Sequence, residues 1–180
     1  MRRSGLAFAV FLAATGSAAA TVVTREAFDL RYDETVWRET PPVPPVLLTL
    51  DCIAPVCGPD ARLMVFSDPR PLTRPGAGAF GPGAAANATL ADRAADLVPG
   101  TRLSTVEPVS PARFAAFSGY RARYSVQDPT LARRDMLQAT VRLPSGLIHV
   151  AFIGTALEAA AETHFVQLLD GLAEPGTLTP

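Results

Sequence analysis

Lysine is absent from this 180-residue chain: all 16 basic residues are arginine, set against 17 Asp and Glu. A formal charge near zero excludes the strongly basic footprint of a nucleic-acid binder. Histidine and cysteine are scarce, two of each, which removes most zinc and thiol chemistry before any motif is sought. No apolar run approaches the roughly 20 residues that a membrane-spanning helix needs. What is present is 48% apolar and 18% charged residues, a balance that supports a buried core in one or two small domains.

The N-terminus reads as an address. Met1-Arg2-Arg3 is positive, Gly5 to Ala14 is apolar, and Thr15 to Ala20 is a run of small residues, the layout of a secretory signal. Ala18 and Ala20 suit a signal peptidase, so cleavage is expected after Ala20, leaving 180 − 20 = 160 residues with a charge of 14 − 17 = −3. No cysteine follows the cleavage point to accept a lipid, and Arg2-Arg3 lacks the flanks of the twin-arginine route. Arginine in every basic position, with abundant Ala, Pro and Gly, associates with high-GC bacterial coding. The expected destination is the periplasm, as a soluble exported protein.

In an oxidising compartment Cys52 and Cys57, with Pro55 between them, are expected to form a disulfide closing a small turn. A redox pair would have two intervening residues at a helix start. A metal site would have to recruit His149 and His164, whose spacing fits no usual zinc pattern, so no metal is expected.

Alternation of Phe28, Leu30 and Tyr32 with charged neighbours predicts a strand, with Trp37 following as a core anchor. Pro41 to Pro45 predicts an extended connector. Strands are predicted at Val46 to Cys52 and Arg62 to Ser67, joined by the cysteine turn. Residues 68–88 form a Gly/Pro-rich loop, and Thr89 to Leu97 a short helix. Further strands are predicted at Thr101 to Val109, ending at Pro108 to Pro111, then around Tyr120 to Val126, Leu137 to Leu143 and Leu147 to Ile153. Thr155 and Glu158 spell a capping start for a closing helix with Leu157, Ala161, Phe165, Leu168 and Leu172 on one face. The expected class is α+β: a single antiparallel sheet flanked by a short helix and a long C-terminal helix. It forms one domain over 21–174, with a flexible tail at 175–180.

Several motifs dissolve on inspection. Gly76 to Gly81 matches G-x-G-x-x-G, but Pro75 and Pro82 flank it where a strand and a helix should stand. Asn87-Ala88-Thr89 spells a glycan acceptor that matters only in a host with that machinery. Ser118 is not in a nucleophile elbow, and no H-E-x-x-H occurs. Asp29, Asp33 and Glu34 read as solvated strand-edge charge. A small periplasmic hydrolase is the competing class, because exported bacterial proteins are often hydrolases.

The early aromatic strand ending near Trp37, the strand pair joined by Leu143-Pro144-Ser145-Gly146-Leu147, and the helix ending Phe165-Val166-Gln167-Leu168-Leu169-Asp170-Gly171-Leu172 together resemble the PsbP-like family. Its members include extrinsic photosystem subunits and a Ran-binding nuclear factor. The resemblance runs over Tyr120 to Leu172. It implies an antiparallel sheet with flanking helices and a non-catalytic role in binding or assembly, with no cofactor. No site residue carries over from it. The residues themselves nominate one binding face: Arg121 and Arg123 on one strand, with Arg142 beside them if the strands pair, to hold an anionic ligand or an acidic envelope partner.

Overall fold

A computed structural model describes residues 20–68, 102–127 and 133–179. Within them run β1 (Ala20–Thr24), β2 (Asp29–Asp33), β3 (Trp37–Thr40), β4 (Leu48–Cys52), a 3-10 turn (Pro55–Cys57), β5 (Arg62–Asp68), β6 (Arg102–Phe114) and β7 (Phe117–Gln127). They are followed by β8 (Arg134–Leu143), β9 (Gly146–Gly154), α1 (Ala159–Asp170) and β10 (Leu172–Ala173). Residues 1–19 of the leader, the G-x-G-x-x-G stretch, the glycan spelling and the helix expected at Thr89 to Leu97 lie outside the described residues.

The single sheet with a long closing helix is not what forms. The described chain is mostly β and divides into two sheets, β1-β2-β10 and β3-β4-β5-β9-β8-β7-β6. The cause is long-range pairing. After α1 the chain returns so that Leu172 and Ala173 pair with Leu30 and Asp29, and β1 closes the other side of β2, from Ala20↔Asp33 to Thr24↔Asp29. These short segments carry too little alternation to declare themselves locally. α1 is also shorter than its apolar spacing suggests. Glu158 occupies the N-cap without a side-chain bond, so the Thr155–Glu158 capping pair does not form. Gly171 ends the helix where a Cβ would stand 2.2 Å from the Arg31 carbonyl oxygen.

One apolar cluster joins both sheets to the helix: Phe28 and Leu30, then Leu50, Leu63, Val65, Val150 and Phe152, then Phe165 and Leu169. Phe152 stands at its centre, edge-on to Trp37 with centroids 5.3 Å apart and stacked on Phe165 at 5.9 Å. The two sheets are tied at their rim by Arg25, whose Nε donates to the Leu47 carbonyl at 3.1 Å and whose guanidinium pairs with Glu39. Cys52 and Cys57 stand at disulfide distance, Cα atoms 6.1 Å apart. A ring this small restrains the unfolded chain by about 2 kcal/mol, so it fixes the turn at the end of β4 and not the fold.

β6 runs straight through Pro108 and Pro111, where an end was expected. It is an edge strand of the large sheet, so a missing N–H there breaks no ladder bond. Register shifts at Thr105/Glu107 and Glu107/Ser110 absorb the irregularity. The β6–β7 turn places Ala115 at φ 48°, and the Asp170 carboxylate accepts from its amide at 2.8 Å, pinning the hairpin tip to the end of α1.

Asp29, Asp33 and Glu34 are not idle charge. Asp33 Oδ1 accepts from the Thr35 amide at 2.8 Å and hydroxyl at 2.6 Å, closing the β2–β3 turn. Those bonds lower its pKa against the opposing effect of burial, helped by the nearby His164. Glu34 accepts from the Thr21 hydroxyl. Asp29 is enclosed, and its Oδ2 accepts from the Leu178 amide at 2.9 Å, which holds that part of the 175–180 segment against β2. Burial alone would raise the Asp29 pKa, but donors from Leu178, Gly176, Thr24 and Thr177 outweigh it and set the carboxyl below its ordinary value. With a lowered folded pKa, the Asp29 contribution is complete above the unfolded value of about 3.9 and is lost as pH falls through the folded one. Asp29→Asn is therefore expected to lower stability by about 1–2 kcal/mol at neutral pH and to flatten the acid limb of the stability curve. Urea melts of both proteins across a series of acid pH values check this, and parallel curves would refute it.

Candidate functional site

Side-chain direction in the large sheet follows from register. Val65 pairs with Val150, Val150 with Ala139, and Ala139 with Arg121, so Arg121 and Arg123 point to the same side as the core and α1. There they are neutralised. Arg123 donates to the Leu157 carbonyl at 2.8 Å and lies 3.5 Å from Asp135. Arg121 stands 3.8 Å from Glu162 on α1, at the rim of a cavity of about 300 Å³ between that helix and β6 to β8. These two arginines strap the helix approach to the sheet.

Arg142 is on the other face. One step beyond the Gly119↔Val141 pair, the same register sets it opposite Ser118, and Ser118 pairs in turn with Arg113. The row Arg113, Ser118, Arg142 thus crosses β6, β7 and β8. The next row carries Pro111, Tyr120, Thr140 and His149, with Thr140 Oγ1 and His149 Nδ1 3.0 Å apart. The first row and Pro111, Tyr120 and Thr140 of the second line an open cavity of about 600 Å³, with Leu147 at one side. Arg113 and Arg142 are exposed, and neither meets a carboxylate among the described residues. Arg113 escaped the sequence reading because its strand was expected to end by Pro111.

The parts of a hydrolytic site are held apart. His149 lies on the Arg142 face and His164 on α1 across the sheet. Ser118 has arginines as its row neighbours, and the early carboxylates are engaged in turns and in the C-terminal contact. Among the described residues no group of His, Cys, Asp and Glu is arranged to hold a metal ion. No helix there is long and apolar enough to cross a membrane.

Comparison with family models finds no match, and neither does comparison with curated proteins. Among solved structures, the solution structure of cyanobacterial PsbP from Synechocystis sp. PCC 6803 superimposes with a TM-score of 0.62 at 13% identity, covering 89% of this chain and 95% of that one. A crystal structure of a Pseudomonas aeruginosa protein of unknown function aligns at a TM-score of 0.43 and 14% identity, over 89% and 96% of the two chains. The first match shows the PsbP-like fold that the strands and helix from Tyr120 to Leu172 resemble.

The two groups of arginines should separate in stability measurements. Arg123→Ala removes a part-buried charge-assisted bond and is expected to cost about 1–2 kcal/mol. Arg142→Ala, which changes an exposed residue without an ion-pair partner among the described residues, should stay within about 0.5 kcal/mol of the parent. Equilibrium urea denaturation reads both, and equal losses would contradict this assignment.

Proposed function

We propose that this chain is an exported, periplasmic, non-catalytic binding or accessory domain whose contact surface is the sheet face carrying Arg113 and Arg142. The observation that carries the reading is a pair of exposed guanidinium groups without acidic partners among the described residues, beside an open cavity on a PsbP-like fold. Arginines set two strands apart on an ordered sheet, with no carboxylate beside them among the described residues, are suited to recognise anions or acidic partners, since their donors are already oriented. The separation of His149 from His164, and the structural engagement of Asp29, Asp33 and Glu34, favour binding over hydrolysis.

Export rests on the leader and on the cysteine pair. Removal of 1–20 would leave Thr21 as the first residue, inside β1 and opposite Tyr32. The domain would then begin within a paired strand. N-terminal sequencing of the protein recovered from the periplasm of an expressing bacterium is expected to start at Thr21, whereas recovery with Met1 from the cytosol would overturn the location.

For the contact surface, the wild-type protein and Arg142→Glu serve as baits in a periplasmic extract. A partner held by the first and released by the second, with unchanged thermal melting, is the expected result. Retention by both would remove this face from the proposal, and Arg121 and Arg123 on the helix side would then be tested in the same way.

A further inference from the structure

We infer that Arg113 and Arg142 form a two-armed clamp for a phosphate monoester seated over Ser118, with the organic group of the ester lying against Tyr120, Pro111 and Leu147. This deepens the proposed reading by naming the ligand class of the same face, and it rests on that reading.

Adjacent strands are about 4.8 Å apart, so the Cα atoms of residues two strands apart are separated by about 10 Å. Two extended arginines at that separation can converge on one anion from opposite sides, with the Ser118 hydroxyl between them on the middle strand. Geometry selects the anion. A planar carboxylate is satisfied by a single guanidinium fork, leaving the second arm unpaired, whereas a phosphate monoester offers three terminal oxygens and about two charges to two forks and a hydroxyl. The remaining walls select an ester over the free ion. Pro111 and the Tyr120 ring make the β6–β7 end of the cavity apolar and Leu147 the β9 end, and its volume of about 600 Å³ lies within the range of small-ligand sites. Thr140, paired to His149, closes the floor with polar groups that can meet hydroxyls on the ligand.

The packing beneath the clamp supports a fixed spacing. Gly119 lies so close to β8 that a Cβ there would stand 2.1 Å from the Thr140 carbonyl oxygen, and the neighbouring hairpin tip is held by Asp170. Ser118 and Arg113 are thereby seated on a stretch of β6–β7 anchored at both the tip and the β8 side.

Isothermal titration of the mature chain with phenyl phosphate, inorganic phosphate and benzoate tests the inference. Phenyl phosphate is expected to bind saturably and more tightly than either of the others. Arg113→Gln and Arg142→Gln should each weaken it about tenfold or more, while Arg31→Gln, exposed on the small sheet, should leave it unchanged. All variants are checked by thermal melting. Absence of saturable binding, equal affinity for benzoate, or insensitivity to both clamp variants would overturn the clamp. Co-sedimentation with vesicles containing phosphatidic acid separates the sources: pelleting that Arg142→Gln abolishes supports a lipid headgroup, and phenyl phosphate binding without pelleting supports a soluble ester. Capture that depends on Arg142 without phenyl phosphate binding removes the clamp and leaves the accessory role. Phenyl phosphate binding with Arg142-independent capture keeps the clamp and removes this face as the partner surface.

Discussion

The packing of Phe152 against Trp37 and Phe165 determines how the rest of the molecule is arranged. Phe152 lies mid-strand on β9, between β5 and β8, so its ring projects from the middle of the large sheet. Trp37 brings β3, at one edge of that sheet, into contact with it, and Phe165 brings α1. Fixing those three elements makes one face of the sheet the inside of the protein. The small sheet then adds Phe28 and Leu30 to the same cluster, and the face bearing Arg142 is directed away from it.

The register of β7 against β8 decides what that outer face carries. Read separately, each strand has one apolar and one polar side: Tyr120, Ala122 and Tyr124 on the first, Leu137, Ala139 and Val141 on the second. Simple amphipathic stacking would turn both apolar sides inward. The observed pairs, Arg121↔Ala139 and Arg123↔Leu137, turn them to opposite sides instead. Two arginines are consequently brought to the core side, where the Leu157 carbonyl, Asp135 and Glu162 compensate them. In exchange, two tyrosines turn to the Arg142 face, Tyr120 in the row next to Arg142 and Tyr124 farther along, opposite Met136. Tyr124 is almost wholly buried there, and burial raises its phenol pKa.

This arrangement shows what was legible in the sequence. Strong local signals were reliable: the alternation of β2, β8 and β9, the apolar spacing of α1, the cysteine turn and the core role of Trp37. Pairings that depend on distant segments were not. β10 is two residues long and exists through its bonds to β2, and no pattern in Leu172-Ala173 marks it. The β7–β8 register was equally hidden, because six residues separate Gln127 from Arg134, more than the two-residue spacing that would set it. Period-two alternation assigned the arginines of β7 to a polar side correctly. It could not say whether that side was the outside, so Arg142 was grouped with Arg121 and Arg123, and Arg113 was missed.

The same logic separates the outer face from the core. Arg121 and Arg123 on the core side of this sheet are met by Glu162, Asp135 and the Leu157 carbonyl, since an uncompensated buried ion would destabilise the fold. Arg113 and Arg142 face no such demand, because solvent already stabilises them. Their position is therefore not set by folding. What folding does set is the frame around them: the close approach of Gly119 to Thr140, the Asp170 anchor at Ala115, and the edge strand that passes through Pro111. Because the constraints on this frame act on other residues, substitution at Arg113, Ser118 or Arg142 changes the chemistry of the face without cost to the core. Constraint on the frame and freedom at these surface positions are compatible with a fold shared at 13% identity with the cyanobacterial structure.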